Sequence, residues 1–182
     1  MGRKLLAGLA FVLFPILLHA QAISPVTPKD ASVSAGGVFS DGQMDYGQHH
    51  NYGLGAYADF DYHVWRNIAA GAEGEMRFMN FHEKSGVYDE NFLAGPRVIM
   101  QFRRRFYPYA KFLAGETRFH YPTFISNQLY SYTTIAIGGG LDFKLDRRIT
   151  IRPADFEYQH LDFPPTGLTP WVYSVGASYT IF

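Results

Sequence analysis

GGGLDFKLDRRITIRPADFEYQH, residues Gly138 to His160, reads as two β-strands joined by a tight polar turn. Leu141, Phe143 and Leu145 alternate with Gly140, Asp142 and Lys144 on the way in. Ile149 and Ile151 alternate with Arg148, Thr150 and Arg152 on the way out, and only Asp146-Arg147-Arg148 separates the two runs. A period of two with one apolar and one polar side marks a strand that faces two different media. The polar side holds charge in mid-strand, at Asp142 and Arg152, where a soluble sandwich rarely hides it. That pattern fits a closed barrel whose apolar side faces lipid and whose polar side faces the lumen.

Working outward from this hairpin, the same rhythm predicts eight strands. The first spans Ala31 to Ser40, with weak alternation. The second, Tyr52 to Val64, sets Leu54, Ala56, Ala58, Phe60, Tyr62 and Val64 against Gly55, Tyr57, Asp59, Asp61 and His63. The third, Ile68 to Asn80, points Ala72, Met76 and Phe78 outward and Glu73, Glu75 and Arg77 inward. The fourth, Phe92 to Arg103, turns Arg97, Gln101 and Arg103 inward, with Pro96 on the apolar side as a bulge or weak ladder position. The fifth, Tyr109 to Phe119, brings in Lys111. Glu116 and Arg118 then fall on its lipid side unless a bulge near Gly115 resets the phase or they stand above the apolar band. Strands six to eight are Ser131 to Leu145, Ile149 to Gln159, with a bulge at Pro153, and Trp171 to Phe182. The connections then read long and short in turn, as in an antiparallel up-and-down barrel with long extracellular loops and short periplasmic turns. Aromatics gather at both strand ends: Tyr52, Phe92, Phe119, Tyr121, Tyr130 and Trp171 on the loop side, and Trp65, Phe106, Tyr107 and Phe182 on the turn side.

Composition narrows the class. The chain has 182 residues, room for one domain, and a mean hydropathy of −0.11. That value does not exclude a membrane barrel, because half of each strand is polar. Formal net charge is 0, which leaves no basic footprint for nucleic acid. With Cys at 0, a disulfide framework and a thiol nucleophile are excluded. Residues 1–22 read as a cleaved signal peptide: Gly2-Arg3-Lys4 is basic, Leu5 to Leu18 is apolar, and Ala20-Gln21-Ala22 supplies the small residues of a cleavage site. Residues 23–30, with Pro25 and Pro28, form an extended tether ahead of a barrel domain over 31–182.

From Ala31 to Phe182 the chain resembles the small eight-stranded outer-membrane barrels of the OmpX and OmpA-transmembrane-domain type. The resemblance rests on the leader, the hairpin rhythm, Gly138-Gly139-Gly140-Leu141-Asp142-Phe143 and the terminal Tyr-Thr-Ile-Phe. Tyr179, Ile181 and Phe182 are similar to the C-terminal signal read by the outer-membrane assembly machinery, with Thr180 where that signal usually has an aromatic. The resemblance implies an outer-membrane monomer of a Gram-negative-type cell. Its implied partners are membrane lipids, lipopolysaccharide and the assembly machinery, and no cofactor is implied. It also implies that the peptidoglycan-binding domain of full-length OmpA-like proteins is absent.

Three function classes compete: a non-catalytic barrel acting as scaffold, adhesin-like surface protein or narrow pore; a lipid-modifying barrel enzyme; and a soluble lipocalin-like barrel. An enzyme of that kind needs a nucleophile and an activating base at the membrane face. The nearest candidate, His160 with Asp155, Glu157 and Asp162, has no neighbouring Ser. A lipocalin would reverse the pattern, apolar within and polar without. The lumen residues are expected to be Glu73, Glu75, Arg77, Arg97, Lys111, Asp142 and Arg152, with Glu75 and Arg97 or Arg152 at the centre of an ion-pair network. Such a network plugs the barrel, or gates a narrow ion path if its pairs exchange partners. His49, His50, His82, His120 and His160 fall in or beside the long connections on one rim. They are either solvated loop histidines or a convergent zinc or copper site.

Overall fold

The structure, a computed structural model, describes residues 31–43, 50–80, 87–122, 127–162, 164 and 166–181. The expected signal peptide and tether therefore lie outside the described residues, as do His49, His82 and Phe182. Eight strands close into one antiparallel barrel in chain order: β1 Ala31–Gln43, β2 His50–Trp65, β3 Ile68–Asn80, β4 Tyr88–Met100, β5 Phe106–Pro122, β6 Asn127–Lys144, β7 Ile149–Leu161 and β8 Trp171–Thr180. Every strand pairs with the next, and β8 returns to β1.

The tilt of the strands can be read from the pairing. Ala31 partners Tyr62, and the row continues through Ala70, Val98, Ala110, Gly139, Phe156 and Tyr173. It arrives back on β1 at Asp41, ten residues from where it left. Eight strands with that stagger lean about 40° from the barrel axis and enclose an interior that side chains can fill.

Inside and outside follow the period of two. Leu54, Phe60, Tyr62 and Val64 of β2 are exposed on the outer wall, while Tyr57, Asp59 and Asp61 are buried. Val98, Phe112, Ile137, Phe156 and Val175 continue the outer apolar wall. Among the described residues the apolar wall is outside and the charge inside, which rules out the lipocalin-like arrangement.

One irregularity, between His63 and Trp65, lies beside the β2–β3 turn, and the others fall at or near the prolines. β4 and β5 pair continuously on either side of Gly95 and Pro96 without a change of register, so Pro96 is a gap in the ladder and not a bulge. At Pro153 the register does shift, between Arg152 and Asp155. No bulge occurs near Gly115: β5 stays in register with β4 and β6, and Glu116 and Arg118 remain on the outer side, 2.9 Å apart.

Four expectations need correction. β1, β2, β4, β5 and β6 run further toward the loop end than the alternation suggests, and β5 and β6 leave only residues 123–126 between them. Backbone pairing continues there although polar and apolar residues no longer alternate, so the two-residue signal fades while the ladder does not. β4 stops at Met100, and Arg103 sits exposed in the following turn instead of facing inward. Phe119 is 3% exposed and faces the lumen, so it is no part of the outer aromatic belt. Tyr107 packs against the buried Ala69, Ile99 and Tyr109 at the turn-end mouth of the lumen.

Gly140 of the Gly138-Gly139-Gly140 run has a specific task. It partners Tyr109 across the β5–β6 ladder, and a Cβ at Gly140 would meet the Ala154 carbonyl oxygen on β7 as well as the Tyr109 hydroxyl at 2.6 Å and Cζ at 2.9 Å. The absent side chain lets the Tyr109 ring lie across the lumen wall. Gly140→Val should displace that ring and cost about 1–3 kcal/mol, the usual range for overpacking. A urea midpoint in detergent equal to that of the parent protein would contradict this role.

Candidate functional site

The buried inward positions of β2 to β7 place four cations among seven carboxylates, with an eighth, Asp89, nearer the loop end. Arg77, Arg97, Lys111 and Arg152 are nearly inaccessible to solvent, and Asp59, Asp61, Glu73, Glu75, Asp142, Asp155 and Glu157 are buried with them. Ions with several kcal/mol of desolvation cost each survive at this depth only where they are closely paired.

Each cation is shared. Arg97 lies 3.1 Å from Asp59, 3.2 Å from Asp61, 2.8 Å from Glu73 and 3.0 Å from Asp142. Arg152 reaches Glu73 and Asp142 at 3.0 Å each, Asp155 at 3.6 Å and Asp59 at 3.8 Å. Lys111 Nζ stands 2.6 Å from Glu157, 2.7 Å from Asp155, 2.8 Å from Glu73 and 3.3 Å from Glu75. Arg77 Nη2 donates to Glu75 at 2.6 Å and to Glu157 at 2.7 Å. The guanidinium of Arg152 is also held between two ring faces, 3.9 Å from the Tyr57 centroid and 4.7 Å from that of Tyr109. Such stacking suits a planar cation stripped of water.

All seven lumen residues expected from the sequence thus meet in one network, but its hub differs. Glu73 accepts from Arg97, Lys111 and Arg152, whereas Glu75 serves only Arg77 and Lys111. Asp59, Asp61, Asp155 and Glu157 also belong to the network. Asp59 and Asp61 already stood on the polar side of β2. Asp155 and Glu157 were harder to find, because the irregularity at Pro153 shifts the phase of β7. Arg152 and Asp155 both face inward although three residues apart, and Glu157 and Gln159 follow in the new phase.

The period of two separates the one acid–base candidate suggested by the sequence, because β7 alternates without interruption from Asp155 to Leu161. Asp155 and Glu157 point into the lumen, whereas His160 is exposed on the other side of β7. The described histidines of the loop-side rim take separate partners. His50 Nδ1 bonds Asp41 at 2.9 Å, and His120 stacks on Tyr88 at 4.3 Å with Glu90 at 3.6 Å. Among the described residues the group whose oxygens converge as metal ligands would is Glu73, Glu75 and Asp155. Lys111 Nζ already stands against all three, so an ammonium fills the place a metal cation would take.

Toward the loop end the ionic layer gives way to neutral groups. Asn91 Nδ2 donates to Thr117 at 3.1 Å and to Gln159 at 3.2 Å, Thr117 and Thr134 share a 2.6 Å bond, and Ser40 bonds Ser174 at 2.8 Å. One inward step further, Met79, Phe119, Leu161 and Val172 are buried together with one carboxylate, Asp89, which pairs with Met79 and Phe119 across the two ladders. At the turn end a cavity of about 40 Å³ is lined by Asp59, Asp61, Asp142, His63 and Lys144, enough for a few waters.

The sequence matches the family described as outer membrane protein beta-barrel domain over residues 7–180. No curated protein sequence matches it. Among solved structures it resembles Neisserial surface protein A, with a TM-score of 0.56, 10% identity, and coverage of 82% of this chain and 95% of that one. The attachment invasion locus protein Ail of Yersinia pestis gives a TM-score of 0.56, 20% identity, and coverage of 84% and 98%. The same protein in complex with the heparin analogue sucrose octasulfate gives 0.55, 16% identity, and the same coverage. At these identities the likeness concerns the fold alone.

Proposed function

The chain belongs to the outer-membrane β-barrel family, and from that premise we propose that it is a non-catalytic, plugged barrel: a membrane scaffold that carries its loop-side hairpins on the cell surface. The observation that supports this most is the shared ion-pair network. Four cations and eight carboxylates occupy the lumen from β2 to β7, seven of the acids within the network and Asp89 among the neutral and apolar side chains above it. An eight-stranded barrel has little interior to spare beyond such side chains. Purified protein in planar bilayers should therefore show no conductance steps of porin size and no passage of large solutes. Steady passage of solutes the size of a disaccharide would overturn the plug.

The second reading, an adhesin-like surface protein, is favoured by the length of one hairpin. β5 and β6 span 17 and 18 residues, against the 9–11 or so that cross a bilayer. The surplus extends beyond the membrane at the loop end. Both readings place the loop end outside the cell. An epitope tag at Gly167, which has a φ of 80° in the β7–β8 connection, should be detected on intact cells, and one at Asp146 only after the outer membrane is opened. The reverse pattern would invert the topology.

A further inference from the structure

Charge is divided unequally between the two ends of the barrel. The three short connections, 66–67, 101–105 and 145–148, carry Arg66, Arg103, Arg104, Arg105, Arg147 and Arg148 against the single acid Asp146. The four connections at the other end carry Lys84 against Asp45, Glu83 and Asp162. All six arginines are exposed, and among the described residues none has a carboxylate at ion-pairing distance.

The three turns form one rim. Gln101 N donates to Asn67 O at 2.7 Å, Lys144 N to Arg105 O at 3.0 Å, and Thr180 N to Arg148 O at 2.7 Å. The first two bonds link the three turns in order around the barrel and the third ties the last turn to the end of β8, so the arginines form an arc on a hydrogen-bonded edge. The arc stands at the border of the outer aromatic belt. Arg148 donates to the Tyr179 hydroxyl at 2.8 Å, and the Arg103 guanidinium lies 5.8 Å from the Phe102 ring centroid. Trp65, Phe102, Phe106 and Tyr179 are exposed around it. Aromatic girdles mark the level of lipid headgroups, so the guanidinium groups sit at the depth of phosphates.

Arg103 adds an independent observation. Its φ is 64°, in the left-handed region, and among the described residues it is the non-glycine residue with positive φ. Glycine would adopt that conformation more easily. Backbone geometry therefore does not account for an arginine there, whereas use of its side chain does.

We infer that this arc is a binding surface for anionic phospholipid headgroups in the leaflet that meets the short turns. The guanidinium fork matches two phosphate oxygens at once, and a lipid with no cationic group of its own leaves that phosphate uncompensated. The inference rests on the proposed bilayer-spanning barrel and adds the lipid class that its turn end selects.

The test uses the full protein in bilayers of phosphatidylcholine with a minority of phosphatidylglycerol. Spin-labelled analogues of each lipid report the motionally restricted fraction. The parent protein should prefer phosphatidylglycerol several-fold, less so in 0.5 M salt. One arginine near an anionic surface contributes roughly fivefold in affinity at most. The variant R103G/R104Q/R105Q should lose most of the preference, while R104K/R105K should keep the larger part. Equal restriction of both lipids by the parent protein, or an undiminished preference in the triple variant, would overturn the inference. So would arginine-dependent sedimentation with peptidoglycan sacculi in the absence of lipid selectivity, which would assign the arc to a cell-wall partner. If no lipid is restricted at all, the bilayer-spanning reading itself has failed, which is a distinguishable result. Unchanged heat-dependent migration of the variants on gels controls for folding.

Discussion

Arg152→Met should destabilise the barrel by about 3–5 kcal/mol, the range for removing one partner of a buried ion cluster. Arg152 is fully buried, and Glu73, Asp142, Asp155 and Asp59 all lie within 3.8 Å of it. The network already holds more carboxylates than cations. Removing a cation increases that surplus and leaves four buried acids to share Arg97 and Lys111. Methionine fills part of the volume but supplies no charge and no planar group to lie between Tyr57 and Tyr109. The measurement is the urea midpoint of refolded protein in detergent, followed by Trp65 and Trp171 fluorescence. A loss below about 1 kcal/mol, the ordinary level of a surface ion pair, would show that the network does not support the fold.

Glu73→Gln should have the next largest effect, and it should exceed that of Glu75→Gln. Glu73 receives Arg97 at 2.8 Å, Lys111 at 2.8 Å and Arg152 at 3.0 Å. An amide there turns an NH2 group toward donors that need an acceptor, a buried mismatch of about 1–3 kcal/mol. The loss stays below that of Arg152→Met because removing an acid reduces the surplus of negative charge. Glu75 touches only Arg77 and Lys111, and Glu157 lies within 2.7 Å of both. Its amide should cost about 1 kcal/mol or less, since a second acceptor remains for each cation. The same series read as single-channel conductance should follow the same order, because a loosened hub opens the lumen more than a loosened edge. Equal or reversed effects for the two glutamines would sink the assignment of Glu73 as hub.

The alternation on β2, β3 and β6 determined most of the architecture. Phe60 against Asp59 and Asp61, or Phe78 against Glu75 and Arg77, can satisfy both kinds of residue only across a wall with lipid on one side and polar partners on the other. Period two is a local property of extended backbone, so it survives in the sequence wherever the two faces differ. The short turns were legible for the same reason: Asp146 to Arg148 interrupts two strongly alternating runs.

Where polar and apolar residues cease to alternate, the signal was lost although the ladder was not. Asn127 to Ser131 pair with β5 as regularly as Gly138 does, yet no alternation announces them. The phase of β7 was lost for a different reason. Pro153 warned of an irregularity, but whether a proline makes a gap, as Pro96 does, or a shift, as at Pro153, depends on the neighbouring strand it must pair with.

The sequence by itself therefore determined which faces of most strands carry charge, and that the charge must be enclosed. The tertiary structure alone decided which charges meet. A ten-residue stagger carries β3, β5 and β7 past one another, so that Glu73, Lys111 and Asp155, far apart in the chain, converge, and Glu73 instead of Glu75 becomes the common acceptor. Pairing across a lumen depends on strand tilt, register and closure. Those are properties of all eight strands together, and no local pattern of residues records them.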